Sequence, residues 1–448
     1  MWMTKEKGFY KNFFSLWYVL VLNNVIILGV NLADNIMLGN FSEPALAGAA
    51  ACNQIQFIFQ QIILGLGNTV VILGSQHWGK RNTGAVKKIG SVALICGLAV
   101  GGLLFLAAAF FPEQILRIFT NSDPIVKEGA AYLRVIKYTY PVFALTNILL
   151  PTLRAVEKVK IGFYVFLCTL VTNISLNYLL IFGKLGLPAL GSTGAALATL
   201  ISRIAELAVV AVYLFWIDKR LNWKLREIFS ADSAVFKNYL RTCLPVVVTD
   251  GLFGVSTALQ TVILGHLNDA AISANSIATT LYQVLKVASV GSAGAAGVLI
   301  GKTIGEGKLD KIKEYAKTLQ FIFLGIGLLT AVSLFLLKGP IVSAYRVSPE
   351  TAKLADGFLL VLCVAGAGMA YQMPTNTGII RGGGDTKYVL RMDIISIWCI
   401  VLPLSTLAAF VFHWHPVAVI ACLNADQVFK CIPAVIKVNR YHWMKKLA

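Results

Sequence analysis

Residues 31–51 read NLADNIMLGNFSEPALAGAAA, and residues 257–277 read TALQTVILGHLNDAAISANSI. Laid over one another at an offset of 226, they place Leu38-Gly39 on Leu264-Gly265 and Ser42-Glu43 on Asn268-Asp269. Each copy holds the end of one long apolar run, a polar turn and the start of the next run. The same offset puts Gly79 on Gly305, Lys87 on Lys313, and Tyr132-Leu133 with Val135 on Phe358-Leu359 with Val361. One unbroken register over three separated regions predicts a chain built twice to a single plan.

The runs around these segments define the class. The 448 residues are 57% hydrophobic and 13% charged, with a mean hydropathy of +0.74, whereas a soluble chain carries charge on about a quarter of its residues. Each run approaches the roughly 20 residues that cross a bilayer as a helix. The runs are continuous and do not alternate every second residue, which predicts helices and excludes a barrel. Twelve spans are expected, near residues 12–38, 45–75, 88–111, 128–152, 160–183, 189–217, 240–265, 271–300, 315–338, 354–380, 388–412 and 416–436. The fold class is therefore an all-α membrane protein of two six-helix bundles. Six crossings per half make the halves parallel repeats, a plan that in transporters puts the substrate site between them. The expected domains are a first bundle over residues 1–217, a basic cytoplasmic linker over 218–239 and a second bundle over 240–448.

A net charge of +18 raises nucleic acid as a partner, and the distribution of the charge argues against it. With the N-terminus inside, 28 of the 39 Lys and Arg fall in or beside cytoplasmic segments and six outside. That asymmetry is the positive-inside bias of a membrane protein, and it places both termini in the cytoplasm. The basic start, Met1–Lys11, leads into a retained first helix with no cleavage site. The eight cysteines show neither C-x-x-C nor metal-ligand spacing and read as packing residues.

Three motifs point to a family. They are A33-D-N-I-M-L-G39; N173-I-S-L-N-Y-L-L-I-F-G183 followed by G186-x-P188-x-L-G191-x-x-G194-A-A; and R381-G-G-G-D-T386 leading into Asp393, Trp398 and Pro403. Together with the length and the repeat, they resemble the multidrug and toxic compound extrusion (MATE) transporters, bacterial exporters within a larger flippase superfamily. The resemblance implies export of cationic or amphiphilic compounds driven by H+ or Na+, from the inner membrane, without enzymatic chemistry. In that pattern the acid of the first helix corresponds to Asp34 and the polar pair of the fifth to Asn173 and Asn177. Some relatives carry an acid where Asn177 stands, so the resemblance leaves the coupling ion open between H+ and Na+. Several relatives carry a Glu soon after a proline in the seventh helix, where this chain has Pro245 and then Asp250.

Each ionisable group inside a span costs about 2.5–3.5 kcal/mol on insertion scales, so each is a functional candidate unless it is paired. Arg203 and Glu206, and Asp426 and Lys430, are spaced to neutralise one another on one helix face. Asp250 and Lys286 each lie 18 residues from the expected hairpin turn at Asn268. They therefore share a depth, and with Gln260 they form an expected polar site in the second bundle. Asp34 has no opposite charge three or four residues away, and its counterpart in the repeat is Gln260, so the architecture does not require an acid there. Asn173 and Asn177 lie one turn apart at a similar depth. One carboxylate and two amide oxygens form a shell for a hard cation such as Na+; the same carboxylate can carry a proton. Tyr138, Tyr140, Tyr282 and Tyr371 are expected to line the substrate cavity and meet an organic cation through their rings. Gly382-Gly383-Gly384 lacks the G-x-x-x-x-G-K-[ST] of a phosphate loop, so no ATP and no other cofactor is expected. The expected partners are a small organic substrate, the coupling ion and the lipid bilayer. The alternative activity is a lipid-linked saccharide flippase, which shares the architecture and calls for a strongly basic cavity.

Overall fold

A computed structural model describes residues 3–118, 122–228, 232–267, 269–344 and 347–447. The expected turn residue Asn268 and linker residues 229–231 lie outside them. Among the described residues all regular structure is helical. The first half comprises α1 (Lys7–Phe41), α2 (Glu43–Gly79), α3 (Thr83–Phe110), the short α4 (Pro112–Arg117), α5 (Asp123–Ile136), α6 (Thr139–Ala155), α7 (Lys160–Phe182) and α8 (Gly191–Val212). The second half comprises α9 (Ser233–Gly265), α10 (Asp269–Gly305), α11 (Leu309–Ala344), α12 (Pro349–Met373), α13 (Thr386–Asp393) and the helical segments that follow.

Eleven helices among the described residues are long and apolar enough to cross a membrane. The remaining expected span, 128–152, is present as α5 and α6, broken at Lys137-Tyr138. Pro141 explains the break: it offers no N–H to the Lys137 carbonyl, which the Tyr140 amide takes instead in a tighter turn at 3.2 Å.

The chain divides into two compact units, Leu22–Val247, and Val248–Ala448 together with Met1–Val21. The boundaries fall inside α1 and α9. In the Leu22–Val247 unit, the Tyr239 hydroxyl at the start of α9 donates to the Leu66 carbonyl of α2 at 2.9 Å. Segment 218–228 docks on the same unit. There Lys87 pairs with Glu227 at 2.9 Å, and a Cβ on Gly90 would run into the fully buried ring of Trp223. In the other unit, the Trp17 indole of α1 donates to the Ala288 carbonyl of α10 at 3.0 Å.

The glycine motifs close two hairpins. Gly183 ends α7 with φ +66, and a Cβ there would lie 2.6 Å from the Ala189 amide. This left-handed cap, open to glycine at no steric cost, folds α8 back along α7. In the second unit the turn Arg381–Asp385 is shaped around a side chain. Gly383 lies flat against the buried ring of Trp443, whose indole donates to the Val438 carbonyl at 2.8 Å. The Lys445 amide donates to the Gly383 carbonyl at 2.9 Å, and Lys437 and Lys445 pair with Asp385 at 2.8 and 2.7 Å. The three glycines therefore serve packing.

Candidate functional site

The α7–α8 hairpin and the C-terminal part of α1 bring three expected residues together. Asn173 and Asn177 are four apart on one face of α7 and fully or almost fully buried. Asp34 on α1 is half-buried beside them. The Asn177 amide nitrogen donates to Asp34 Oδ1 and, at 3.1 Å, to Asn173 Oδ1. The Asn173 nitrogen reaches Thr199 Oγ1 on α8 at 3.5 Å. With its nitrogen spent twice, Asn177 keeps its own carbonyl oxygen buried without a partner.

Below this cluster sits an ion pair. Arg203 Nη1 donates to Glu206 Oε2 at 2.7 Å, as their spacing of three predicts, and the Thr169 hydroxyl also approaches that oxygen at 3.4 Å. The second oxygen of Glu206 is buried and unpartnered. Arg203 lies over the Phe143 ring at 5.1 Å and is near enough to Asp34 to act on it through space. Tyr132 on α5 approaches both Thr199 and Asp34. Asp34 is thus bonded directly to a neutral amide, with its nearest cation already committed to Glu206.

Thr199 and Tyr132 are site residues that the sequence reading passes over. Thr199, Arg203 and Glu206 follow the i, i+4, i+7 spacing of one helix face, so a signal for Thr199 was present. Tyr132 carried none, since depth along α5 does not reveal its direction.

The second-unit site is not assembled as expected. Asp250 bonds in bidentate fashion to Arg381, at 2.9 and 2.8 Å, and does not pair with Lys286. The Lys286 ammonium stands over the Phe253 ring at 5.3 Å, and the carboxylate acting on it through space is Asp426. Equal distance from a hairpin turn fixes depth but leaves the rotation of each helix free, and these two faces diverge. A bidentate guanidinium is also the stronger partner for a carboxylate. Gln260 is ten residues beyond Asp250 on α9, about 15 Å along the axis, and belongs to no common site with it. Asp426 and Lys430 pair at 3.1 Å as expected, and Lys430 also holds Asp393 at 2.8 Å.

Within each unit the two expected tyrosines stand in different surroundings. Tyr138 is half exposed beside Lys137, while Tyr140 is buried against Phe59 with its hydroxyl unpartnered. The Tyr282 hydroxyl meets Met369 Sδ at 3.1 Å in a small pocket shared with Lys286. The Tyr371 hydroxyl donates to Gln320 at 2.8 Å and faces a separate groove.

Residues 20–179 and 245–407 match the MatE family model. The chain is 24% identical over 410 residues to the probable multidrug resistance protein NorM of Halalkalibacterium halodurans, covering 90% of this chain and 88% of that protein. It is 24% identical over 393 residues to the probable multidrug resistance protein YoeA of Bacillus subtilis, covering 86% and 84%. The crystal structure of the Vibrio cholerae MATE transporter VcmN in its bent form superposes with a TM-score of 0.85, over 97% of each chain at 17% identity.

Proposed function

This chain belongs to the MatE family of multidrug efflux transporters, and from that premise we propose that it is a secondary antiporter with Asp34 as its coupling group. It exports small cationic or amphiphilic organic compounds by alternating access, in exchange for H+ or Na+. It works in the bacterial inner membrane with both termini in the cytoplasm, the orientation favoured by the charge distribution.

The carrying observation is the direct bond from Asn177 to Asp34. An amide N–H compensates a carboxylate only partly, so an arriving cation or proton changes the energy of the site. Anchored to α7 and α8 in one protonation or ion-bound state and released in another, Asp34 links ion occupancy to the packing of α1. A difference of about 1.4 kcal/mol between two states moves their populations about tenfold. A cationic substrate competes for the same charge.

The orientation of Asn177 favours a proton as the coupling ion. A proton binds the carboxylate with no rearrangement. Na+ needs the amide turned by half a revolution, so that the unpartnered oxygen faces Asp34. Transport of a fluorescent cationic dye in reconstituted vesicles tests both. We expect dye movement under an imposed proton gradient, none under sodium alone, and none in Asp34→Asn. Dye movement at wild-type rate in Asp34→Asn under both gradients removes Asp34 from the mechanism.

A further inference from the structure

The Tyr371 groove is a cavity of about 520 Å³ bounded by α11, α12 and the helix Cys431–Asn439. Its wall changes character with depth. At one level Tyr371, Gln320 and Asn439 are joined, Tyr371 to Gln320 at 2.8 Å and Gln320 to Asn439 at 3.4 Å. Four residues along each helix, about 6 Å deeper, the lining is Ala367, Leu324 and Val435. Leu324 is 52% exposed and Val435 40%. On the other side of the polar level stands Lys317, three residues before Gln320 on α11. Lys313, a further turn back, lies over the Tyr441 ring at 5.7 Å. Glu314 in this stretch is close enough to Lys311 to act on it through space.

We infer that this groove is a binding site for an anionic phospholipid. The order of charge on α11, then polar and apolar levels in register on three helices, matches a phosphate headgroup, a glycerol ester region and an acyl chain. The Lys317 ammonium faces the phosphate, the Gln320–Tyr371–Asn439 level meets the ester oxygens, and Leu324, Ala367 and Val435 take the chain. Basic pockets at membrane depth select anionic lipids in this way.

The test is titration of the purified full chain, in detergent, with phosphatidylglycerol or phosphatidylcholine, read as bound lipid by native mass spectrometry. We expect phosphatidylglycerol to be favoured by about fivefold for each lysine engaged. Lys317→Gln should reduce that preference by about fivefold, and Leu324→Trp, which fills the apolar end, should lower occupancy by both lipids. As a measure independent of either variant, bound phosphatidylglycerol should slow maleimide labelling of Cys431, read on its own peptide. Equal binding of the two lipids by the wild-type chain, an unchanged ratio in Lys317→Gln or unprotected Cys431 overturns the inference. So does displacement of the lipid by an exported dye, which would make the groove part of the transport path.

Discussion

Asp34 in the Leu22–Val247 unit and Asp250 in the other unit are acids at non-equivalent places of a duplicated plan. The repeat pairs Asp34 with Gln260 and Asp250 with Asn24, so each copy carries an acid where the other carries an amide. Their surroundings differ in kind. Asp34 is bonded to the Asn177 amide; Asp250 is gripped on both oxygens by a guanidinium. Asp393 and Asp426 of the same unit share Lys430. A carboxylate matched by a buried cation is fixed, because removing either partner strands the other. One matched by N–H dipoles stays responsive to protons and cations. The comparison sets a carboxylate held by a cation against one held by an amide, in two halves built to one plan.

The sharpest way to break the comparison is to give Asp34 a cation of its own. Asn177→Lys supplies one, and gradient-driven dye export in vesicles should fall at least about tenfold while thermal unfolding in detergent shows a folded protein. Export at wild-type rate would empty the distinction of functional content. Next comes the opposite manipulation. Arg381→Met removes both guanidinium bonds to Asp250 and should cost about 3–5 kcal/mol in unfolding experiments, whereas Arg381→Met with Asp250→Leu should recover most of it. Additive losses would show that the two groups are not coupled.

A smaller effect is expected at Asp385. Burial opposes its ionisation, but the ammonium groups of Lys437 and Lys445 outweigh burial and hold the carboxyl below its ordinary value. A lowered folded-state value means stability that is fully present above the ordinary carboxyl range and lost as pH falls through the lowered one. Asp385→Asn should therefore cost about 1–3 kcal/mol at pH 7, and wild type and variant should converge as pH drops below about 4. A gap that persists in acid would assign the cost to packing.

The assembly of Asp34 with Asn173 and Asn177 was legible because each fact needed is one-dimensional: a spacing of four, an acid without a local partner, and a shared depth. Span number and helical class were legible for the same reason. The partner of Asp250 was not. Arg381 follows the π-helical turn Pro374–Ile380, where its amide bonds five residues back to Asn376 at 2.9 Å. The extra residue in that turn changes the face on which Arg381 emerges. Counting residues from a hairpin registers neither such a change nor the rotation of α9 and α10 that turns Asp250 and Lys286 to different partners.

The turn Arg381–Asp385 has a consequence for synthesis. Its floor is Trp443 and its counter-ions are Lys437 and Lys445, all made more than fifty residues after it. While the ribosome is still translating α13 and the segments beyond it, Gly383 and Gly384 face an empty slot and Asp385 has neither lysine. This corner of the molecule can therefore close only after residue 445 has left the ribosome.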